Sequence, residues 1–124
     1  MNIDCPMYAL DPEQFVPAVG QGAIAIVCKA GSPYVKMLAA FNDAYTRVCV
    51  EAERYVMRAL GGGCSVPIGI WATKVDEALR IRAIVLDEDG MTSFRLDRLI
   101  ELDRQSEGLD ALSKELMQGW EIVK

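Results

Sequence analysis

The side chain best suited to chemistry in this sequence is Cys64, which follows three consecutive glycines, Gly61 to Gly63, and precedes the stretch SVPIG. One glycine is enough to end a helix, so the other two are surplus to capping. Surplus glycines cost backbone entropy and leave room for a ligand or another chain to approach. The thiol would also sit by the negative end of a helix dipole, which disfavours a thiolate. With no histidine anywhere in the chain, a Cys–His dyad is excluded. Two readings stay open on these residues alone. Cys64 is either a buried structural cysteine after a helix stop, or a neutral, reachable thiol that meets a strong electrophile.

The remaining cysteines, Cys5, Cys28 and Cys49, form no CxxC pair with each other or with Cys64. That spacing argues against a zinc or redox centre, and no metal is expected. The chain has 124 residues, a net charge of −5 and 52% hydrophobic residues. It is long enough for one cored domain, with or without an appended segment. An acidic balance without a basic run gives no footprint for nucleic acid or for an anionic membrane surface. No apolar run reaches membrane-spanning length, and the opening MNIDCPMYAL lacks the basic region of a signal peptide. The expected compartment is the cytoplasm, where disulfides are not expected.

Elements to hold Cys64 follow from periodicity. Residues 1–17 are irregular, and Asp11-Pro12-Glu13 suits one helical turn. Gly20-Gln21-Gly22 reads as a turn before a strand. Ala23–Cys28 is apolar at every position, the pattern of a strand covered on both faces, which needs neighbours on each side. Ser32-Pro33 predicts a helix start with a stripe of Val35, Leu38 and Ala39. Ala44, Val48, Ala52, Tyr55, Val56 and Ala59 predict a second helix, with Arg47, Glu51, Arg54 and Arg58 on its other faces. Three strand-like runs follow: VPIGIWATKV, then LRIRAIVLD with Arg80 and Arg82 on a solvated face, then TSFRLDRL. Turns are expected at Asp76-Glu77 and at residues 87–90. A last helix is expected over about Ser106–Gln118, with Gly119 as its stop. The order α-α-β-β-β-α predicts an α+β fold: a three-stranded antiparallel sheet with helices packed on one face, preceded by an extended strand segment.

Two stretches carry a resemblance. AERYVMRALGGGCSVPIG at 52–69 and VPAVGQGAIAIVCK at 16–29 closely resemble, in order and spacing, two segments of the hydroxymethylbilane synthase (porphobilinogen deaminase) family. Ala52, Glu53, Arg54, Leu60, Gly62, Gly63, Cys64, Pro67, Ile68 and Gly69 match the first. The sequence departs at Val27 and Gly61, where the family often has an acid. The resemblance implies the C-terminal part of a three-domain transferase of heme and tetrapyrrole biosynthesis. Residues 1–30 would be a strand and hinge belonging with the first domain, and residues 31–124 the cofactor-attachment domain. Such enzymes condense four porphobilinogen units into hydroxymethylbilane on a dipyrromethane primer. The resemblance makes Cys64 its thioether attachment point, with Gly62 and Gly63 as room around it.

By the same resemblance Gly20, Gln21 and Gly22 lie against the cofactor and substrate cleft, whereas the residues alone favour a plain turn before a strand. Arg54 would brace the cysteine loop or an interdomain contact, against the alternative of an ordinary surface arginine. Arg80 and Arg82 would face the polyanionic product if they were not simply solvated. No catalytic residue is expected in this stretch, because the family's catalytic aspartate and carboxylate-binding arginines belong to domains one and two. The isolated chain is accordingly expected to be inactive, to carry no dipyrromethane, and to present Ala23–Cys28 as an orphan strand open to self-association. The competing expectation is a stand-alone binding or regulatory module that kept the fold and lost the chemistry.

Overall fold

The computed structural model describes residues 7–61 and 67–124. Its regular elements are α1 (Tyr34–Ala39), α2 (Ala44–Ala59), β1 (Ile68–Val75), β2 (Ala78–Leu86), β3 (Ser93–Glu101) and α3 (Gln105–Val123), with a single 3₁₀ turn, Leu102–Arg104, leading into α3. The strands form one antiparallel sheet in the order β1-β2-β3. This is the α+β architecture and element order that the periodicity predicts.

Alternation along β2 decides the layering. Leu79, Ile81, Ala83 and Val85 point to the helix layer, where they meet Ala52 and Val56 of α2 and Leu109, Leu112 and Leu116 of α3. Ile70, Leu79, Ile81, Leu116, Val56 and Val85 are the largest side chains fully removed from water. Each contributes roughly 1.5–3 kcal/mol of burial free energy, before the conformational entropy of ordering it. Register is held by short turns at both hairpins. Asp76 takes a positive φ of 53° in the first. In the second, the Asp87 carboxylate accepts from the N–H groups of Met91 and Thr92 and Gly90 sits at φ 68°. Those N–H donors, Thr92 foremost, hold the Asp87 carboxyl below the usual carboxylate range.

Four details differ from the sequence reading. Ala23–Cys28 belongs to no strand, and Ile24 and Val27 are 90% and 91% exposed. The free edge of β1 gives it no continuous docking place, because three of the outward N–H groups there are already taken. Ile70 donates to the Pro17 carbonyl at 3.0 Å, Ala72 to Glu53 at 2.9 Å and Lys74 to the Tyr45 hydroxyl at 3.3 Å. Second, the Ser32 hydroxyl caps nothing: it is buried without a hydrogen-bond partner, and α1 begins only at Tyr34. Third, Gly119 does not stop α3 but lies within it. A Cβ there would overlap the Phe94 ring, so the glycine exists to let β3 approach the helix. Fourth, Arg82 is not on a solvated face. Residues 13–17 lie over that side of the sheet, and Arg82 is only 7% exposed beneath them.

Candidate functional site

The helix that leads to Cys64 is fixed at both ends. Asp43 caps α2 at its start, accepting from the Thr46 N–H at 2.6 Å, and that bond lowers the Asp43 pKa. At the other end Leu60 donates back to the Val56 carbonyl, and Gly61 adopts φ 93°. Gly61 thus takes the left-handed conformation of a capping glycine just past the helix end. Gly62, Gly63 and Cys64 lie outside the described residues, so the helix end at Gly61 is the last described point before the thiol.

The second segment singled out from sequence is a tight turn packed beside the middle of α2, near Val50 and Glu53. The Gln21 N–H donates to the Ala18 carbonyl at 3.0 Å and the Ala23 N–H to the Gly20 carbonyl at 3.1 Å. Gly20 and Gly22 take φ values of 69° and 81°, the left-handed region in which a side chain is strained. The turn is tied to α2 by Glu53, whose Oε2 accepts from the Gly20 N–H at 2.7 Å while Oε1 accepts from Ala72 of β1. Glu53 is 5% exposed, an acid set among Cys49, Ala52 and Val56 on the buried side of the helix. Its two backbone donors offset the cost of burying a polar group there.

Between this turn and the two helices runs an open groove of about 660 Å³. Gly20, Gly22 and the apolar Ile24 and Ile26 form one wall, and Phe41 with Arg54 belongs to the other. That volume lies within the usual range for small-molecule sites, roughly 300–1,000 Å³. Arg54, named from sequence, therefore borders the groove. So does Arg47, which is paired with Glu51 at 2.8 Å. Gln21 sits exposed in the turn and is not part of the groove lining. Among the described residues no group of three or more His, Cys, Asp or Glu side chains could hold a metal ion. Nor is any described helix long and apolar enough to cross a membrane.

The described cysteines separate cleanly. Cys49 is buried in the core, and burial pushes its thiol pKa up, whereas Cys28 is exposed. The residues that periodicity missed are Glu53 and Arg82. Glu53 had a signal, an acid flanked by residues of the buried stripe. Arg82 had none, because its cover comes from Glu13, sixty-nine residues away.

The comparisons with known proteins agree with this organisation. A family model described as porphobilinogen deaminase, C-terminal domain, matches residues 47–118, from α2 into α3. A protein named "Probable porphobilinogen deaminase" from Methanocella arvoryzae is 34% identical across 94% of this chain and 39% of its own length. Porphobilinogen deaminase of Listeria monocytogenes is 35% identical across 93% of this chain and 41% of its own. That of Syntrophobacter fumaroxidans reaches 47% across 72% of this chain and 29% of its own. The chain thus spans about two-fifths of the length of the first two relatives. On the family match over residues 47–118, the chain belongs to the porphobilinogen deaminase family, as its C-terminal domain.

Proposed function

We propose that this chain is the primer-bearing part of a hydroxymethylbilane synthase, with Cys64 as the attachment residue for a dipyrromethane. The observation that carries the reading is the family match over residues 47–118, which includes Cys64 and the glycines before it. When bound, the primer supplies the pyrrole carbon at which successive porphobilinogen units, losing ammonia, are joined into hydroxymethylbilane. The groove suits such a group chemically. Apolar walls from Ile24, Ile26 and Phe41 fit flat pyrrole rings, and Arg47 and Arg54 at its border suit acidic ring substituents.

This chain's own residues then have limited tasks. Cys64 would hold the primer through sulfur. Its C–S bond would replace the C–N bond of an aminomethyl pyrrole, the amine leaving as ammonia and the thiol proton going to solvent. A carbon made that electrophilic would need no activating base beside the thiol. Gly62 and Gly63 leave space around that bond. Gly20 and Gly22 line the groove opposite α2, Gln21 sits exposed in the turn beside it, and Arg54 offers its guanidinium to the acidic substituents of the bound primer. Proton transfer and substrate-carboxylate binding are assigned to parts of the enzyme that this stretch does not include, and the compartment to the cytoplasm.

Two measurements test the reading. Purified alone and given porphobilinogen, the chain should form no bilane and should keep the mass of the bare polypeptide. Turnover or an adduct would sink the assignment of those steps elsewhere. Within a complete enzyme carrying this segment, Cys64→Ser should remove the dipyrromethane adduct from the intact mass. Retention of the adduct would overturn the role of Cys64.

A further inference from the structure

We infer that Glu53 is a positioning residue that sets the Gly20–Gly22 turn in a fixed register against α2. The role rests on the proposed function for its purpose, since both sides of the candidate cleft, the turn and the helix leading to Cys64, meet at this carboxylate. The geometry itself stands apart from that reading. Glu53 joins three pieces of chain that are remote in sequence: Gly20 in the turn, its own helix and Ala72 on the free edge of β1. The turn has one other backbone tie to the sheet nearby, the Pro17 carbonyl that accepts from Ile70. From Ala23 to Cys28 no described backbone N–H donates to the sheet or the helices, so these two bonds are the nearest anchors on the N-terminal side of the groove wall.

The chemistry calls for a carboxylate and not merely a polar side chain. Two N–H groups converge on one side chain from different directions, and only a group with two acceptor oxygens satisfies both. Glutamine has a single acceptor oxygen, and its NH₂ would face one of the donors. One of Gly20 and Ala72 would then lose its partner. Ala72 is held in the β1-β2 ladder, so Gly20 is the group that moves away. The Glu53→Gln molecule keeps its core but loses the register of the turn.

The test uses the 124-residue chain. With Cys5, Cys28 and Cys64 changed to serine, spin labels are placed at Gln21→Cys and Ala59→Cys, both exposed positions. The parent should give one narrow distance distribution. Glu53→Gln should broaden it or add a second population at unchanged far-UV circular dichroism, while Glu51→Gln, an exposed neighbour on the same helix, should leave it narrow. A narrow distribution in folded Glu53→Gln overturns the inference. If that variant does not fold, amide exchange in the unaltered chain decides. Gly20 should then exchange at least about tenfold more slowly than Ala25, and equal rates overturn the inference. Loss of the adduct test on Cys64 would leave either result standing, so the two ideas fail separately.

Discussion

Arg82 on β2 ion-pairs with Glu13 at 2.5 Å across the side of the sheet away from the helices, and the two residues are joined by no local element. The same guanidinium lies 3.4 Å from Asp97 and 4.9 Å from the centroid of the Trp71 ring. It is the centre on which residues 13–17 settle over the sheet, and its stem packs there as well as its charge.

Arg82→Ala is therefore expected to cost about 1–2 kcal/mol in urea unfolding. That lies below the 3–5 kcal/mol typical of breaking a fully buried pair, because Glu13 is 60% exposed and regains water when released. Glu13→Gln should cost less than about 1 kcal/mol. Equal losses from the two substitutions would show that the ion pair, and not the packing of Arg82, dominates.

Gly119→Ala tests the close approach of α3 and β3. Alanine is the better helix former by about 1 kcal/mol, yet its Cβ would overlap Phe94. The strain of overpacking, roughly 1–3 kcal/mol, should outweigh that gain and lower the melting temperature. Combining it with Phe94→Leu should recover part of the loss, and a stabilised single variant would refute the account.

The acid limb of stability should report Asp97. Hydrogen bonds from Arg80 at 2.7 and 3.0 Å, with Arg82 nearby, hold this carboxyl below the usual carboxylate range. A group with a lower pKa in the folded state binds fewer protons there than in the unfolded chain. Its contribution is complete above the unfolded pKa of about 3.9, and is lost as pH falls through the folded value. Asp97→Asn should flatten the stability profile below about pH 4, measured by urea midpoints across that range. Asp87→Asn should act in the same direction.

Thiol labelling should separate the described cysteines. Cys28, exposed on the irregular segment, is expected to react with a disulfide reagent at a rate close to that of a free peptide. Cys49 should react only on unfolding, since it is 5% exposed and burial raises its pKa. Mapping by peptide mass checks both, and fast labelling of Cys49 in the native protein would contradict the packing of α2 on β1.

Ile24, Ile26 and Val27 on the same segment expose apolar surface that no described residue covers. Light scattering at rising concentration should show association, and Ile24→Lys with Val27→Glu should reduce it. A strictly monomeric parent would show that the groove and its wall stay apart from other copies.

Hairpins and helices were legible in the sequence because their signals are local. Alternation in LRIRAIVLD and the turn residues at 87–90 are contained within a few positions of the bonds they make. A glycine near a helix end looks the same in sequence whether it stops the helix or, like Gly119, admits a ring from β3. A run apolar on both sides, like Ala23–Cys28, announces that it wants cover without saying where the cover lies. The candidate site was legible as motifs, through Cys64 and the Gly20–Gly22 turn. The carboxylate of Glu53 that joins the turn to α2 was not, since periodicity records that a residue is buried and not what it bonds.

The edge of β1 has a final consequence. Three of its outward amides, those of Ile70, Ala72 and Lys74, are held by a carbonyl, a carboxylate and a phenol drawn from residues 17, 53 and 45. An invading strand cannot zip onto this border one step at a time, because each rung is guarded by a different lock. A version of the domain trimmed to begin at residue 31 would lose the Pro17 lock and leave Glu53 without Gly20. Such a shortened domain should form cross-β fibrils, read by dye binding, sooner than the longer chain does.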